Sequence, residues 1–307
     1  MKLSIVTTLY KSSTFINKFY ERISLEAKKI TDDYELIFVD DGSPDDSLNK
    51  AINLSKKDRN VKVLELSRNF GHHKAIMAGL AETIGEHVFL IDCDLEEEPE
   101  LLEEFWNELK SGDNDVIYGV QKKRKGKWFE KVSGFLFYDL FNFFSDVKIE
   151  KNVSVVRLMK KEYVLSLLKH EEKELIFVGL CALTGYKQKG IFFKKGYRGE
   201  SNYNLTKKIN MAVDMIASFS IKPLKIVFLL GILITMISIC FIIYLVLNKI
   251  IYSHTYEGWT TLMISVWFST GLIMSSIGIL GIYLSKVFLE VKSRPRSIIK
   301  EKFGEEK

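Results

Sequence analysis

Short apolar runs of strand length alternate with longer, helix-patterned stretches through the N-terminal third of the chain. They run Leu3 to Thr7, Phe15 to Leu25, Leu36 to Val39, Leu48 to Leu54, Val61 to Leu66, Ala75 to Ala81 and Val88 to Ile91. This βαβα rhythm predicts an α/β domain with a largely parallel central sheet. Ligands of such sheets gather beyond the carboxyl ends of the strands. The strand-like runs from the second to the fourth end in polar chemistry there: Asp40-Asp41-Gly42-Ser43, Ser67-Arg68-Asn69 and Asp92-Cys93-Asp94.

The C-terminal third has a different pattern. From Leu224 to Leu247 the only charge is Lys225, and from Gly258 to Ser285 there is none. Each run reaches the roughly 20 apolar residues that span a bilayer, and neither carries the polar stripe of a soluble amphipathic helix. The pattern predicts a helical hairpin with both ends on one side. Lys222, Lys225, Lys286, Lys292, Arg294, Arg296 and Lys300 flank its outer ends, whereas the intervening loop has Lys249 alone. That bias predicts cytoplasmic termini in a multi-pass protein of the cytoplasmic (inner) membrane. Met1-Lys2 running directly into Leu3-Ser4-Ile5-Val6, with no secretory apolar region, agrees. The expected divisions are a catalytic domain over 1–205, a juxtamembrane amphipathic helix over 206–223, membrane helices over 224–247 and 258–285, and a basic cytoplasmic tail over 286–307. The faces of a two-helix hairpin also leave self-association open.

Composition changes this picture little. The formal net charge of +5 is modest, and its clustering matters more, above all Lys122-Lys123-Arg124-Lys125-Gly126-Lys127 beside Trp128-Phe129. Near membrane segments such patches favour anionic head groups. No nucleic-acid motif accompanies them, so no nucleic-acid partner is expected. Trp128 to Phe144 is rich in aromatics and reads as core packing or as an interfacial helix. The three cysteines, Cys93, Cys181 and Cys240, form no C-x-x-C pair, which fits a reducing compartment.

The sharpest candidate chemistry is Asp92-Cys93-Asp94 after the apolar run Val88-Phe89-Leu90-Ile91. Two carboxylates one residue apart at a strand end suit a hard divalent cation such as Mg²⁺ or Mn²⁺ bridging to a diphosphate. Acidic residues after a strand can also be helix-cap and first-turn charges. Asp40 and Asp41 read either as turn chemistry or as acceptors for a base N–H or a ribose hydroxyl. Arg68 and Lys74 could meet phosphate. His72 and His73, adjacent and therefore on different helical faces, read as solvent-facing or substrate-edge residues.

In order along the chain, SIVTTLY, FVDDGSPDDS, LSRNFGHHKAIMAGL, DCDLEEEPE, VRLM, RGESNY and SFSIKPL precede the two apolar helices. Together these motifs resemble the inverting GT-A glycosyltransferases of family 2. The likeness is to the polyprenyl-phosphate type, which includes dolichyl-phosphate mannose synthase and bacterial prenyl-phosphate glucosyltransferases. The resemblance implies a GT-A domain followed by a transmembrane hairpin, a UDP- or GDP-linked sugar donor and a polyprenyl (undecaprenyl) phosphate acceptor. It further implies nucleotide contacts from Thr8, Tyr10, Asp40, Asp41, Arg68 and Asp92, and a metal held by Asp92 and Asp94 with Glu96 approaching. Departures are Thr8-Leu9-Tyr10-Lys11-Ser12 in place of P-x-Y-N-E, Gln121 in place of an Arg, and Val155-Val156-Arg157 in place of D-F-R.

The reaction so implied needs no strong general base, since a phosphate monoester with a second pKa of about 6 is largely dianionic near neutrality. It does need cations for the acceptor phosphate. Arg124, Arg157, Lys195 and Arg198 are the candidates; Arg157 in VVRLM is set apart because a semi-buried Arg needs an anion. Asp92, Asp94 and Arg157 are thus the expected catalytic residues. The alternatives are extension of a lipid-linked or cell-envelope glycan and a non-catalytic membrane adaptor with a nucleotide-sugar fold.

Overall fold

The computed structural model describes residues 2–122, 150, 152–173, 177–196, 213, 217, 220–252 and 258–304. Arg124, Arg198, the Trp128–Phe144 stretch, the RGESNY segment and most of the expected 206–223 helix lie outside the described residues. The chain divides into two compact units. One contains the N-terminal elements together with the residues from Ser293 onward, and the other contains the two long apolar helices.

In chain order the first unit contains β1 (Leu3–Leu9), α1 (Ile16–Ile30), β2 (Tyr34–Asp40), α2 (Ser47–Ser55), β3 (Val61–Leu66), α3 (His72–Ala81), β4 (His87–Leu90), α4 (Leu101–Ser111), β5 (Val116–Gln121), β6 (Val153–Lys160), α5 (Lys161–Leu168), α6 (Phe177–Leu183), β7 (Gln188–Phe193) and, at the C-terminus, β8 (Ile299–Phe303). The sheet order is β7-β5-β6-β4-β1-β2-β3-β8. Strands β3, β2, β1 and β4 run parallel, as the apolar rhythm predicts. Strand β6 lies antiparallel between β4 and β5.

Alternation along the central strands explains the layering. Ile5 and Phe38 pack with Phe19 of α1 and Phe105 of α4, whereas their neighbours Val6, Ile37 and Val39 pack with Ile76 of α3 and Tyr163 of α5. A strand whose successive side chains point to opposite faces needs cover on both. All seven residues of β2 are accordingly buried. The result is a helix–sheet–helix sandwich. The strand order reverses direction at the β1–β4 pair, so the crevice at their carboxyl ends is the topological switch point.

The C-terminal segment differs from the expected basic tail. The second apolar helix continues past Ser285, and Ile299–Phe303 then joins the sheet edge antiparallel to β3. Ile299 packs against one face of the sheet and Phe303 against the other. Lys300 pairs with Glu65 at 2.5 Å and Lys302 with Glu82. Two basic residues of the expected tail, Lys300 and Lys302, are thus the outer side chains of an edge strand, a common protection against edge pairing.

The second unit contains α7 (Lys222–Tyr252, 31 residues) and α8 (Trp259–Val291, 33 residues), both longer than the apolar runs that announced them. Their large side chains, Phe228, Met236, Trp267 and Met274 among them, face outward. Hydroxyls along them bond back to the carbonyl one turn earlier: Thr235 to Gly231, Ser238 to Ile234, Thr270 to Val266 and Ser276 to Leu272, at 2.8–2.9 Å. An apolar exterior with polar groups satisfied within the helix is what a bilayer demands. Both helices are long and apolar enough to cross one.

Candidate active site

The loops at the switch point are built by residues whose neighbours are locked into the core. Cys93 is buried in the core cluster under α4, so Asp92 and Asp94 on either side of it are directed away from that cluster. The chain then turns sharply. Leu95 takes φ 60°, a left-handed conformation that is costly for a branched side chain, and Asp94 accepts the Glu96 N–H at 3.0 Å. Strain of this kind is retained where surrounding contacts impose it, and here it falls inside the acidic motif.

Asp92 is recessed. Burial pushes its carboxyl above the usual range, His72 pulls it back, Asp94 raises it, and Lys195 and Glu96 act in opposite directions beyond them. His72, the first residue of α3, links two predicted site residues: its Nδ1 lies 3.0 Å from Thr8 Oγ1, and its Nε2 lies 3.5 Å from Asp92 Oδ1. The adjacency rule that sends His72 and His73 to different faces holds, but it says nothing about what His72 alone reaches across the crevice.

Glu97 is a second residue that the sequence reading passed over. It is fully buried, accepts a hydrogen bond from Ser154 Oγ of β6, and its Oε2 has no partner among the described residues. Burial, then the charge of Asp92, pushes its carboxyl up to about 8. Its place in a run of three glutamates concealed it, because such a run reads as first-turn helix charge.

Lys195, which follows β7, reaches into this group. Its ammonium pairs with Glu96 Oε2 at 3.1 Å, and the adjoining Gly196 N–H donates to Glu96 O at 2.7 Å. Burial works against the Lys195 charge, and Glu97, Glu96 and Asp92 more than offset it. Asp92, Asp94, Glu96, Glu97, His72 and Lys195 therefore form one electrostatic cluster. Among the described residues no group of three His, Cys, Asp or Glu side chains is arranged to hold an ion on its own. The donor chemistry fits a Mg²⁺- or Mn²⁺-type ion that takes one or two carboxylates from the protein and the rest of its shell from substrate phosphate and water. Asp92 and Asp94 would hold it; Glu96 is engaged by Lys195.

The second acidic strand end divides its labour. The pattern assigns both Asp41 and Asp40 to base and ribose. Asp41 instead uses both oxygens on backbone, accepting from Phe70 N at 2.7 Å and Gly71 N at 3.0 Å, so it organises the loop that precedes His72. Gly42 next to it takes φ 65°, and a Cβ there would lie 2.6 Å from Asn69 N, so the two loops touch through backbone. Asp40 accepts the Ser43 N–H at 3.2 Å through one oxygen, while Oδ1 is buried without a partner among the described residues. Burial pushes its carboxyl up. Tyr10 is 48% exposed at the end of β1. Arg68 lies over the Phe70 ring at 4.2 Å and donates to Asn69 O at 2.9 Å on the same surface loop.

Arg157 departs from expectation. It is 1% exposed, its Nε donates to Val155 O at 3.0 Å, its Nη2 donates to Ser154 O at 3.2 Å, and its guanidinium lies 4.7 Å from the centre of the Phe177 ring. Carbonyls and a ring, rather than an anion, are its described partners. On β6 it sits opposite Leu90 of β4, within the scaffold that carries Asp92. That burial argues for a structural role over the acceptor-phosphate contact that VVRLM suggested.

Known proteins resemble this chain over most of its length. The profile described as glycosyl transferase family 2 matches residues 4–177. A Mycobacterium tuberculosis (strain CDC 1551 / Oshkosh) protein named provisionally as a glycosyltransferase is 43% identical over 99% of this chain and 89% of its own length. The bactoprenol glucosyl transferase of Shigella phage SfX is 29% identical over 98% of this chain and 100% of its own. Among solved structures, that of Staphylococcus aureus TarS 1–349 aligns at 18% identity with a TM-score of 0.47, over 71% of this chain and 65% of that one. With a family profile over more than half its length and a 43%-identical relative matched nearly end to end, the chain belongs to glycosyl transferase family 2.

Proposed function

We propose that this glycosyltransferase moves a sugar from a UDP- or GDP-linked donor to the phosphate of a polyprenol such as undecaprenyl phosphate, with inversion at the anomeric carbon, at the cytoplasmic face of the inner membrane. The observation that carries the proposal is the Asp92/Asp94 pair at the β1–β4 switch point of a chain that also has two membrane-length helices. The end-to-end match to bactoprenol glucosyl transferases, which includes those helices, supports the lipid acceptor.

In this reading Tyr10 offers an exposed ring for the base, and the orphaned Asp40 Oδ1 supplies an acceptor for a base N–H or a ribose hydroxyl. Thr8 and His72 line the path from nucleoside to diphosphate. Asp92 and Asp94 would hold the divalent ion, Mg²⁺ or Mn²⁺, which when bound would supply positive charge beside the leaving diphosphate. His72 restrains Asp92 across the crevice, which preorganises the pair before donor arrives. The acceptor phosphate is its own nucleophile, dianionic near neutral pH. Its cationic contacts fall to Lys195 among the described residues, with Arg124 and Arg198 as further candidates.

Connectivity supports the membrane topology. Strand β8 belongs to the same sheet as β1, so the chain leaves that unit, passes through α7 and α8, and rejoins it. Two crossings return a chain to its starting side, which agrees with the lysine and arginine bias at the outer helix ends.

The test is a donor screen. Detergent-purified protein with Mg²⁺ or Mn²⁺ is incubated with undecaprenyl phosphate and a panel of labelled UDP- and GDP-sugars. Label should enter the organic phase with one donor and depend on the divalent ion. No lipid-soluble label across the panel, from a protein that melts cooperatively, would refute the proposal.

A further inference from the structure

The most unusual feature of the acidic crevice is that a lysine already stands in it. Asp92, Asp94, Glu96 and Glu97 come from one loop after β4, whereas Lys195 arrives from the far edge of the sheet, after β7. Its Nζ is 3.1 Å from Glu96 Oε2, and the charges of Glu97, Glu96 and Asp92 all favour its ammonium form. The contact is fixed by backbone as well as by charge. Gly196 N donates to Glu96 O at 2.7 Å, and a Cβ on Gly196 would meet Glu96 Cα at 3.2 Å, so the strand exit is seated directly against the motif.

The carboxylates of Asp92, Asp94 and Glu96, crowded at one strand end, repel one another in a recessed site, and a resident cation relieves this. We infer that Lys195 is the built-in counter-cation of the carboxylate pocket, holding it assembled without metal and opposing the divalent ion electrostatically until nucleotide phosphate arrives. The pocket then binds bare metal weakly and metal with diphosphate well, because phosphate gives both the ion and the lysine a second negative partner. A folded enzyme in the cell would thereby avoid sequestering metal without its donor.

This inference rests on the reading of Asp92 and Asp94 as the metal pair, and the experiment separates the two. Binding of Mn²⁺ alone, without nucleotide, is measured by electron paramagnetic resonance on the full chain in detergent, for wild type, Lys195→Gln and Lys195→Arg. Removing one positive charge a few ångströms from a divalent ion should tighten Mn²⁺ binding about tenfold in Lys195→Gln. Lys195→Arg should stay within about twofold of wild type, since it keeps the charge. Unchanged or weakened Mn²⁺ binding in Lys195→Gln overturns the inference while leaving the metal pair intact. If wild type binds no Mn²⁺ even with saturating UDP and GDP, the metal reading itself fails, and the inference with it. Should Lys195→Gln fold poorly, Lys195→Met serves as the second neutral variant and must show the same tightening.

Discussion

Residues that are close in the motif have different work to do. Asp94 lies in the loop strained at Leu95 and, in the proposed reaction, meets the ion that faces the leaving diphosphate. Asp94→Ala should lower kcat by at least about a hundredfold, as expected when a preorganised electrostatic contact is lost, while the protein stays membrane-bound and folded. Turnover within tenfold of wild type would remove that residue from the mechanism. Glu97 makes a prediction of the opposite kind, on stability. Its folded-state pKa of about 8 lies above the ordinary carboxyl value of 4.5, so between those limits the folded state holds a proton that the unfolded state has lost. By linkage, stability falls as pH rises through that window. The melting temperature of the detergent-solubilised protein should therefore drop between pH 5 and pH 8, and Glu97→Gln should flatten the slope; an equally steep slope in the variant would show that other groups carry it. Of this candidate site, the position of Asp92 and Asp94 just beyond β4 was legible, because the apolar run Val88-Phe89-Leu90-Ile91 before them reads as a buried strand. Glu97 and His72 were not legible, since their significance depends on Ser154 and Thr8, distant in sequence. The part Asp41 plays in ordering the next loop was not legible for the same reason: its partners there are the backbone N–H groups of Phe70 and Gly71, which leave no mark in a sequence.

Elements were read more securely than their ends. The parallel core β3-β2-β1-β4 follows from runs buried on both faces, and these are hard to mistake. Strand β8 was missed because Ile299-Lys300-Glu301-Lys302-Phe303 has only two apolar residues, and its basic neighbours fit a membrane-proximal tail equally well. Edge strands conceal themselves in this way, since the charges that protect an edge also imitate disorder. The sheet position makes β8 structural: Ser67 N donates to Ile298 O at 2.9 Å, and Phe303 packs on the core cluster beneath α1 and α2. Truncation after Ser297 should lower the stability of the catalytic unit by about 2 kcal/mol or more, through loss of two partly buried apolar side chains and exposure of the β3 edge. A melting curve that matches full-length protein would place β8 outside the stable fold.

Over the whole molecule, the catalytic sheet is interrupted in sequence by two helices of membrane length and completed after them. This arrangement predicts that the loop between α7 and α8 lies across the membrane from both ends of the chain. In a variant lacking native cysteines, a cysteine at His254 should react with a membrane-impermeant maleimide added to intact cells, and one at Lys302 only after lysis. Labelling of both, or of Lys302→Cys alone, would contradict the hairpin. The fold, the family and the two apolar helices were all legible in the pattern of the chain, because each depends on periodicity or composition over many residues. Donor identity was not, since it depends on single contacts in the crevice.

The central claim is that the sugar is carried onto the phosphate of a polyprenol. The most direct measurement supplies undecaprenyl phosphate labelled at its phosphorus together with the donor found by screening, and follows the labelled lipid by chromatography and mass. The prediction is a new species heavier by one glycosyl residue, formed with Mg²⁺ or Mn²⁺ and absent with Asp94→Ala, in which the sugar is linked to the labelled phosphate by a single phosphodiester. Donor consumption by folded protein that leaves the labelled lipid unchanged and places the sugar on another glycan would contradict it.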